Sequence, residues 1–389
     1  VRRPLALRAV IVLGCLIAAG TVLRPGLARL IGRADPALAA TVAPNDARVA
    51  IAAAKAAIEG GETPQAPAAA ALSRRALARD ATLPAAIEMR ALQAAAAGDH
   101  AREARLFALS DSISRRSLPT RLWRIQQSVD RGDVAGALEE FDIALRTSSA
   151  AQPILFPVLA QASEDPALAG PIAALLDRPQ EWGLVFLNYA MTEGGAATGA
   201  ADVVLRMKNR RPIADSGADE TLVGRLVAEK DFARARRVHD AFHPSGSDLV
   251  QDADFSDDAG FPFGWTLIQE GDRGAQRSLV DGRPALAYQA SASGSGQVAS
   301  QLLTLAPGDY RLATTTAAAD DDGAARAFWT LTCAEGPQIA LLDQPARGAA
   351  ATDLNVPPDC DGQWLALNLR PGELPDHAGS VASVRVARR

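Results

Sequence analysis

The stretch RGDVAGALEEFDIA, residues 131–144, decides how the first half of this chain is read. Its Gly132-Asp133 pair recurs 34 residues earlier as Gly98-Asp99, and the same offset relates Phe107 to Phe141 and Leu109 to Ile143. A period of that length is one helix–turn–helix unit, with Gly-Asp opening the turn between the paired helices. Outward from it, residues 47–242 are Ala-rich text punctuated by Pro and Gly. Alanine supplies helix propensity but little buried area, so Leu, Phe, Ile and Trp at helical spacing must supply the stability.

The Ala137, Phe141 and Ala144 pattern resembles the tetratricopeptide repeat family, which places small, aromatic and small packing residues there. The resemblance covers residues 83–150, and Lys230-Asp231-Phe232-Ala233-Arg234-Ala235 is similar to another turn and second-helix start. The earlier copy departs by having Glu103 where a small residue belongs, with Ala104 one position late. Such repeats imply an extended concave surface for a protein partner, or a spacer. Over residues 153–207 Pro153, Pro157, Pro166, Pro171 and Pro179 cut the text into short helices, and Trp182 reads as a packing residue.

Past residue 243 the text changes to short β-prone runs separated by Gly, Pro and Asp. Strands are predicted over 285–290, 298–305, 310–316, 327–333, 338–342, 363–369 and 381–387. Pro307-Gly308 suits a turn with positive φ at its second residue, from which Tyr310 starts a strand. Asp254-Phe255, Pro262-Phe263-Gly264-Trp265, Ala285-Leu286-Ala287-Tyr288 and the run QLLTLAPGDYRL at 301–312 together resemble the jelly-roll, carbohydrate-binding-like modules. The combination of helical repeats, this module and an apolar N-terminus is similar to bacterial envelope proteins associated with exopolysaccharide production. That resemblance implies glycan contact, for which Trp265, Tyr310 and Arg311 are the candidates. Trp265 and Tyr310 also fit the module's core.

Residues 9–23 are uncharged and follow Arg2, Arg3 and Arg8. Fifteen helical residues span roughly 22 Å, short of a ~30 Å hydrocarbon core, which permits a signal peptide or a short signal anchor. Either would carry the remainder across a membrane, placing it at the bacterial inner membrane facing the periplasm, or in the periplasm or outside the cell if the segment is cleaved. Cys15 reads as a thiol within the apolar run. In an exported chain the two other cysteines, Cys333 and Cys360, are expected to join and close a loop of 27 residues.

Acidic residues outnumber basic ones nearly two to one from Ser245 onward, while the earlier part is mildly basic, so the C-terminal module is no nucleic-acid binder. Asp252, Asp254, Asp257 and Asp258 form a candidate calcium cluster, though without an EF-hand pattern, and Asp320–Asp322 is a weaker one. The four histidines are scattered, and the sequence holds no HExxH, phosphate loop or nucleophile elbow. No cofactor is implied.

The expected architecture is multidomain α + β. It comprises a signal anchor or signal peptide over 1–31, a linker over 32–46, an α-helical tetratricopeptide-like solenoid over 47–243 and an antiparallel β-sandwich of jelly-roll type over 244–389. The expected function is a non-catalytic envelope scaffold for exopolysaccharide production or export. Its expected partners are an envelope protein on the repeats, a polysaccharide on the sandwich and the membrane at the N-terminus. The alternatives are a secreted glycan hydrolase or lyase using sandwich carboxylates, and a structural periplasmic adaptor.

Overall fold

The computed structural model describes residues 28, 30–32, 34–243, 248–257, 260–318, 326–372 and 376–389. The chain divides into two compact units at Leu155/Phe156.

In the first unit a short helix α1 (Pro36–Val42) precedes three helical hairpins: α2 (Ala47–Glu59) with α3 (Pro67–Arg79), α4 (Pro84–Ala96) with α5 (His100–Ile113), and α6 (Leu118–Asp130) with α7 (Val134–Thr147). The Gly-Asp turns work by a simple division of labour. Gly98 and Gly132 adopt φ of 76° and 68°, which terminates one helix without a Cβ penalty. Asp99 and Asp133 then accept from the Arg102 and Gly136 N–H groups and cap the next helix. Prolines open α1, α3 and α4 at a position where no N–H is needed. Phe107, Phe141, Ala137 and Ala144 are all buried, and Phe107 stacks on Trp123 at 5.1 Å.

The interior of these hairpins also holds charge. Glu88 is buried and accepts from Ser110 Oγ (2.8 Å) and Thr120 Oγ1 (2.9 Å). Arg121, 1 % exposed, reaches Glu140 at 2.5 Å and Asp111, while Arg124 bridges the same two carboxylates from the rim.

The second unit combines helices and sandwich. After α8 (Gln152–Ser163), which straddles the division, come α9 (Pro166–Leu176), α10 (Gly183–Thr192), α11 (Ala197–Arg206), α12 (Arg211–Ser216), α13 (Ala218–Ala228) and α14 (Phe232–Phe242). Trp182 is buried edge-on to Phe186 in this layer. At the α13–α14 turn Lys230 takes the left-handed φ of 67° that glycine takes in the two earlier Gly-Asp turns.

The sandwich has two wholly antiparallel sheets. One orders β1 (Thr266–Leu267), β5 (Gly296–Leu303), β10 (Gln363–Leu369), β7 (Ala327–Cys333) and β8 (Gln338–Asp343). The other orders β2 (Gln269–Glu270), β3 (Arg273–Val280), β4 (Arg283–Ser291), β11 (Asp376–Arg388), β6 (Gly308–Thr316) and β9 (Ala349–Val356). Strand β7 shows why the sequence packs this way: Ala327, Trp329, Leu331 and Cys333 are buried while the residues between them are only half-buried. Those inward side chains meet Leu312, Leu365, Leu367, Val381 and Val384 in one core. Trp329 satisfies its ring N–H on Gln344 at 3.0 Å. Cys333 and Cys360 form a disulfide with Cα atoms 5.3 Å apart, pinning the end of β7 to the approach of β10. Helix α14 lies on this sandwich, with Phe232 against Gly362, where a Cβ would come within 2.7 Å of the ring. Lys230 pairs with Glu335, and His239 packs edge-on to Phe263.

One expectation requires correction. No helix among the described residues is long and apolar enough to cross a membrane. The longest, α5 and α7, have 14 residues and reach only roughly 21 Å. Both also carry charged side chains. The run over residues 9–23 that prompted the expectation lies outside the described residues. The apolar N-terminal spanning helix, the signal anchor, the membrane as a partner and the inner-membrane or periplasmic location all rested on that run, and all are withdrawn.

Candidate functional site

Strand pairing assembles a cleft that no single stretch of sequence announces. In the sheet containing β3, β4 and β11, Leu286, Tyr288 and Ala290 face the core, so Ala287 and Gln289 face outward. Register then places Gln276 opposite Ala287, and both Gly274 and Ala378 opposite Gln289, on that same outer face. Gly274, Ala287 and Ala378 are too small to fill it. The result is a cleft of about 280 Å³ whose floor is small residues and whose rim carries Gln269, Gln276, Gln289, Glu270 and Arg273.

The polar groups here suit hydroxyl recognition. A glutamine amide offers both donors and an acceptor, so three of them around one hollow match a ligand dense in hydroxyls. Glu270 is held by Arg273 at 2.7 Å, and the same guanidinium contacts Asp272 at 3.3 Å. Tyr288 belongs to the lining yet is 5 % exposed, so its ring offers no stacking face. A glycosidase needs two carboxyl groups flanking the bond it cleaves. This cleft has one, already ion-paired.

The residues singled out in the sequence fall elsewhere. Trp265 is buried, 5.2 Å from Phe255 and 5.7 Å from Trp329 between ring centroids, and its Nε1–H donates to the Asp252 carbonyl at 3.0 Å. Tyr310 is also interior, its hydroxyl donating to the Ala306 carbonyl at 2.9 Å. Arg311 alone of the three reaches solvent, 57 % exposed and 3.9 Å from Asp353.

Of the acidic cluster, Asp258 and Asp320–Asp322 lie outside the described residues. Asp252 adopts φ of 50° and folds its own loop: Oδ1 accepts from the Asp257 N–H at 2.9 Å, and Oδ2 pairs with Arg277 at 3.3 Å. Asp254 accepts from Ser256 Oγ at 2.8 Å. A guanidinium thus stands where a cation would approach Asp252. Among the described residues no group of three or more His, Cys, Asp or Glu is arranged to hold a metal ion.

Burial pushes the Asp252 carboxyl above its ordinary value, outweighing the opposing pull of the Asp257 N–H, Arg277 and Ser256. The sign follows from proton linkage. An acid whose folded pKa is raised favours the fold below its unfolded value, and loses that contribution as pH rises through the folded value. Asp252→Asn is therefore expected to melt higher than the wild-type chain at pH 7, with the gap closing by pH 3.5. Thermal melts at the two pH values check this, and a gap that does not narrow on acidification contradicts it.

A second hollow, of about 520 Å³, lies between α9, α10 and α12, floored by Leu176, Leu187, Met207 and Ile213. Of the two carboxylates that line it, Asp177 and Glu181, the first already accepts from the Lys208 and Asn209 N–H groups.

No family model matches this sequence, and no curated protein matches it. The expectation of an exopolysaccharide-associated envelope relative, and of an envelope protein partner drawn from it, is accordingly withdrawn. Among solved structures, TmCBM61 in complex with β-1,4-galactotriose is similar at a TM-score of 0.28 and 15 % identity, covering 37 % of this chain and 100 % of that one. A structure described for the promiscuous specificity of carbohydrate-binding modules of the β-sandwich superfamily gives a TM-score of 0.25 and 13 % identity, covering 37 % of this chain and 63 % of that one. The likeness is a weak one of fold, between carbohydrate-binding modules and the C-terminal antiparallel sandwich.

Proposed function

We propose that this protein is a non-catalytic, glycan-contacting protein, and that its sandwich contacts the glycan through the outer face of the β3–β4–β11 sheet. The observation that carries the reading is the cleft itself, where three glutamine amides and one Glu–Arg pair surround a floor of Gly and Ala. Small floor residues let a sugar ring approach the backbone, and the amides fix its hydroxyls. Without an exposed aromatic in the cleft, affinity comes from several hydrogen bonds of about 1 kcal/mol each, which suits weak binding repeated along a polymer.

The test is affinity electrophoresis of the full chain through gels containing soluble polysaccharide. Gln276→Ala with Gln289→Ala removes two recognition groups from exposed positions, so the fold should persist while retention falls roughly tenfold. Retention unchanged in the double variant would move the binding face elsewhere, and no retention of the wild-type chain on any polysaccharide at millimolar sugar would end the proposal.

A further inference from the structure

The outer face that holds the cleft continues along β11 to a differently charged end. After the register shift between Val381 and Ser383, inward Val384 and Val386 leave Ser383, Arg385 and Ala387 facing out. Register sets Arg385 opposite Ala313 and Ala387 opposite Arg311 on β6, so the two arginines are diagonal neighbours on one face. Ala313 pairs onward with Ala351, and Arg311 with Asp353, on β9. The guanidinium groups therefore rise from a ground of alanines that does not obstruct a ligand.

The charges there are unequally committed. Asp353 is held by Arg389 at 2.7 Å and lies 3.9 Å from Arg311, the limit of an ion pair. With both side chains about half exposed, that second contact is worth little. Asp309, the neighbouring carboxylate on β6, accepts from the Asn355 amide at 2.8 Å. Arg385 is exposed and has no ion-pair partner among the described residues. Arg311, Arg385, Arg388 and Arg389 thus gather at one end of a module that is otherwise acidic. Arginine forks match carboxylates bidentately, which lysine does not.

We infer that the glycan is an acidic one, and that Arg311 and Arg385 take the carboxylates of its uronic-acid residues while the glutamine cleft holds hydroxyls of the same chain. This inference rests on the glycan reading above. Seven residues of β11 separate Ala378 from Arg385, roughly 23 Å of strand, so the ligand engaging both ends is an oligomer.

Affinity electrophoresis of the full chain in polygalacturonate and in neutral galactan, at low and at 300 mM salt, tests it. Polygalacturonate should be bound at least tenfold more tightly than galactan at low salt, and the advantage should shrink with salt. Arg311→Gln with Arg385→Gln should abolish that advantage and leave galactan retention unchanged. Equal retention of the two polymers, an advantage that survives the double substitution, or equally tight binding of polyglutamate would each overturn the inference while leaving the glycan reading in place. Failure to retain either polysaccharide would instead remove the glycan reading, and this inference with it.

Discussion

Arg121→Met is expected to destabilise the first helical unit by about 3–5 kcal/mol, the largest effect of any single substitution in that unit. The guanidinium is 1 % exposed and lies between Glu140 and Asp111, whose side chains are 9 % and 16 % exposed. Methionine fills much the same space but leaves two inward carboxylates with Arg124 as their common partner. Arg124 is 42 % exposed, so its pairing is screened by water, and Arg124→Gln should cost only about 1 kcal/mol. The asymmetry between two arginines that contact the same two acids is the diagnostic. Replacing Arg121, Glu140 and Asp111 together by apolar residues should recover most of the loss, because the penalty is that of an uncompensated charge rather than of a missing attraction. Hydrogen exchange of peptides from residues 100–147 reads this unit separately from the sandwich. A loss under 1 kcal/mol for Arg121→Met would sink the argument.

That network also shows where sequence reading stops. In TRLWR, Arg121 and Arg124 look alike, and basic residues in an Ala-rich helix ordinarily solvate its outer face. What separates them is the arrival of Asp111 and Glu140 from two other helices. The local signals were legible: Gly98-Asp99 and Gly132-Asp133 foretold turns whose physics is a left-handed residue followed by a capping carboxylate. Strands β7 and β10 were legible as short β-prone runs. Strand β3, RGAQRSLV, and strand β9, AAATDLNV, were not predicted, because Gly, Arg and Ala carry little strand propensity and these strands owe their state to pairing with β4 and β6. The glutamine cleft was invisible for the same reason. Gln276 faces the same way as Ala287, and Gln289 the same way as Ala378, only through register between strands far apart in sequence. Trp265 and Tyr310 were visible as letters but ambiguous as chemistry, since an aromatic that plugs a core and one that stacks on a sugar are written alike. Their ring N–H and hydroxyl, each turned to a backbone carbonyl, show which they are.

Arg326→Met is expected to cost the sandwich about 4 kcal/mol, through a cation that has no carboxylate partner among the described residues. Arg326 is 6 % exposed. Its Nε donates to the Arg370 carbonyl at 2.8 Å, and its Nη2 reaches the carbonyls of Ser291 and Gly294 at 3.1 Å and Ala292 at 3.4 Å. Four carbonyl oxygens from the loop after β4 and the end of β10 thus surround one guanidinium, much as oxygens surround a bound metal ion. These carbonyls point inward because the guanidinium is there, and removing it leaves them unpaired as well as costing charge-assisted hydrogen bonds. Gly372 fits flat against the group, and a Cβ there would approach Nε to 2.6 Å, so Gly372→Ala should also destabilise, by about 1–3 kcal/mol. Arg326→Lys retains the charge but not the planar fork, and an ammonium cannot reach Arg370 and the 291–294 loop from one position. It should recover no more than half of the loss. Hydrogen exchange in peptides covering 288–297 and 363–372 should show both segments opening together in Arg326→Met. If 288–297 alone were loosened, the guanidinium would not be the joint between them, and a stability within 1 kcal/mol of wild type would remove it as a structural cation altogether.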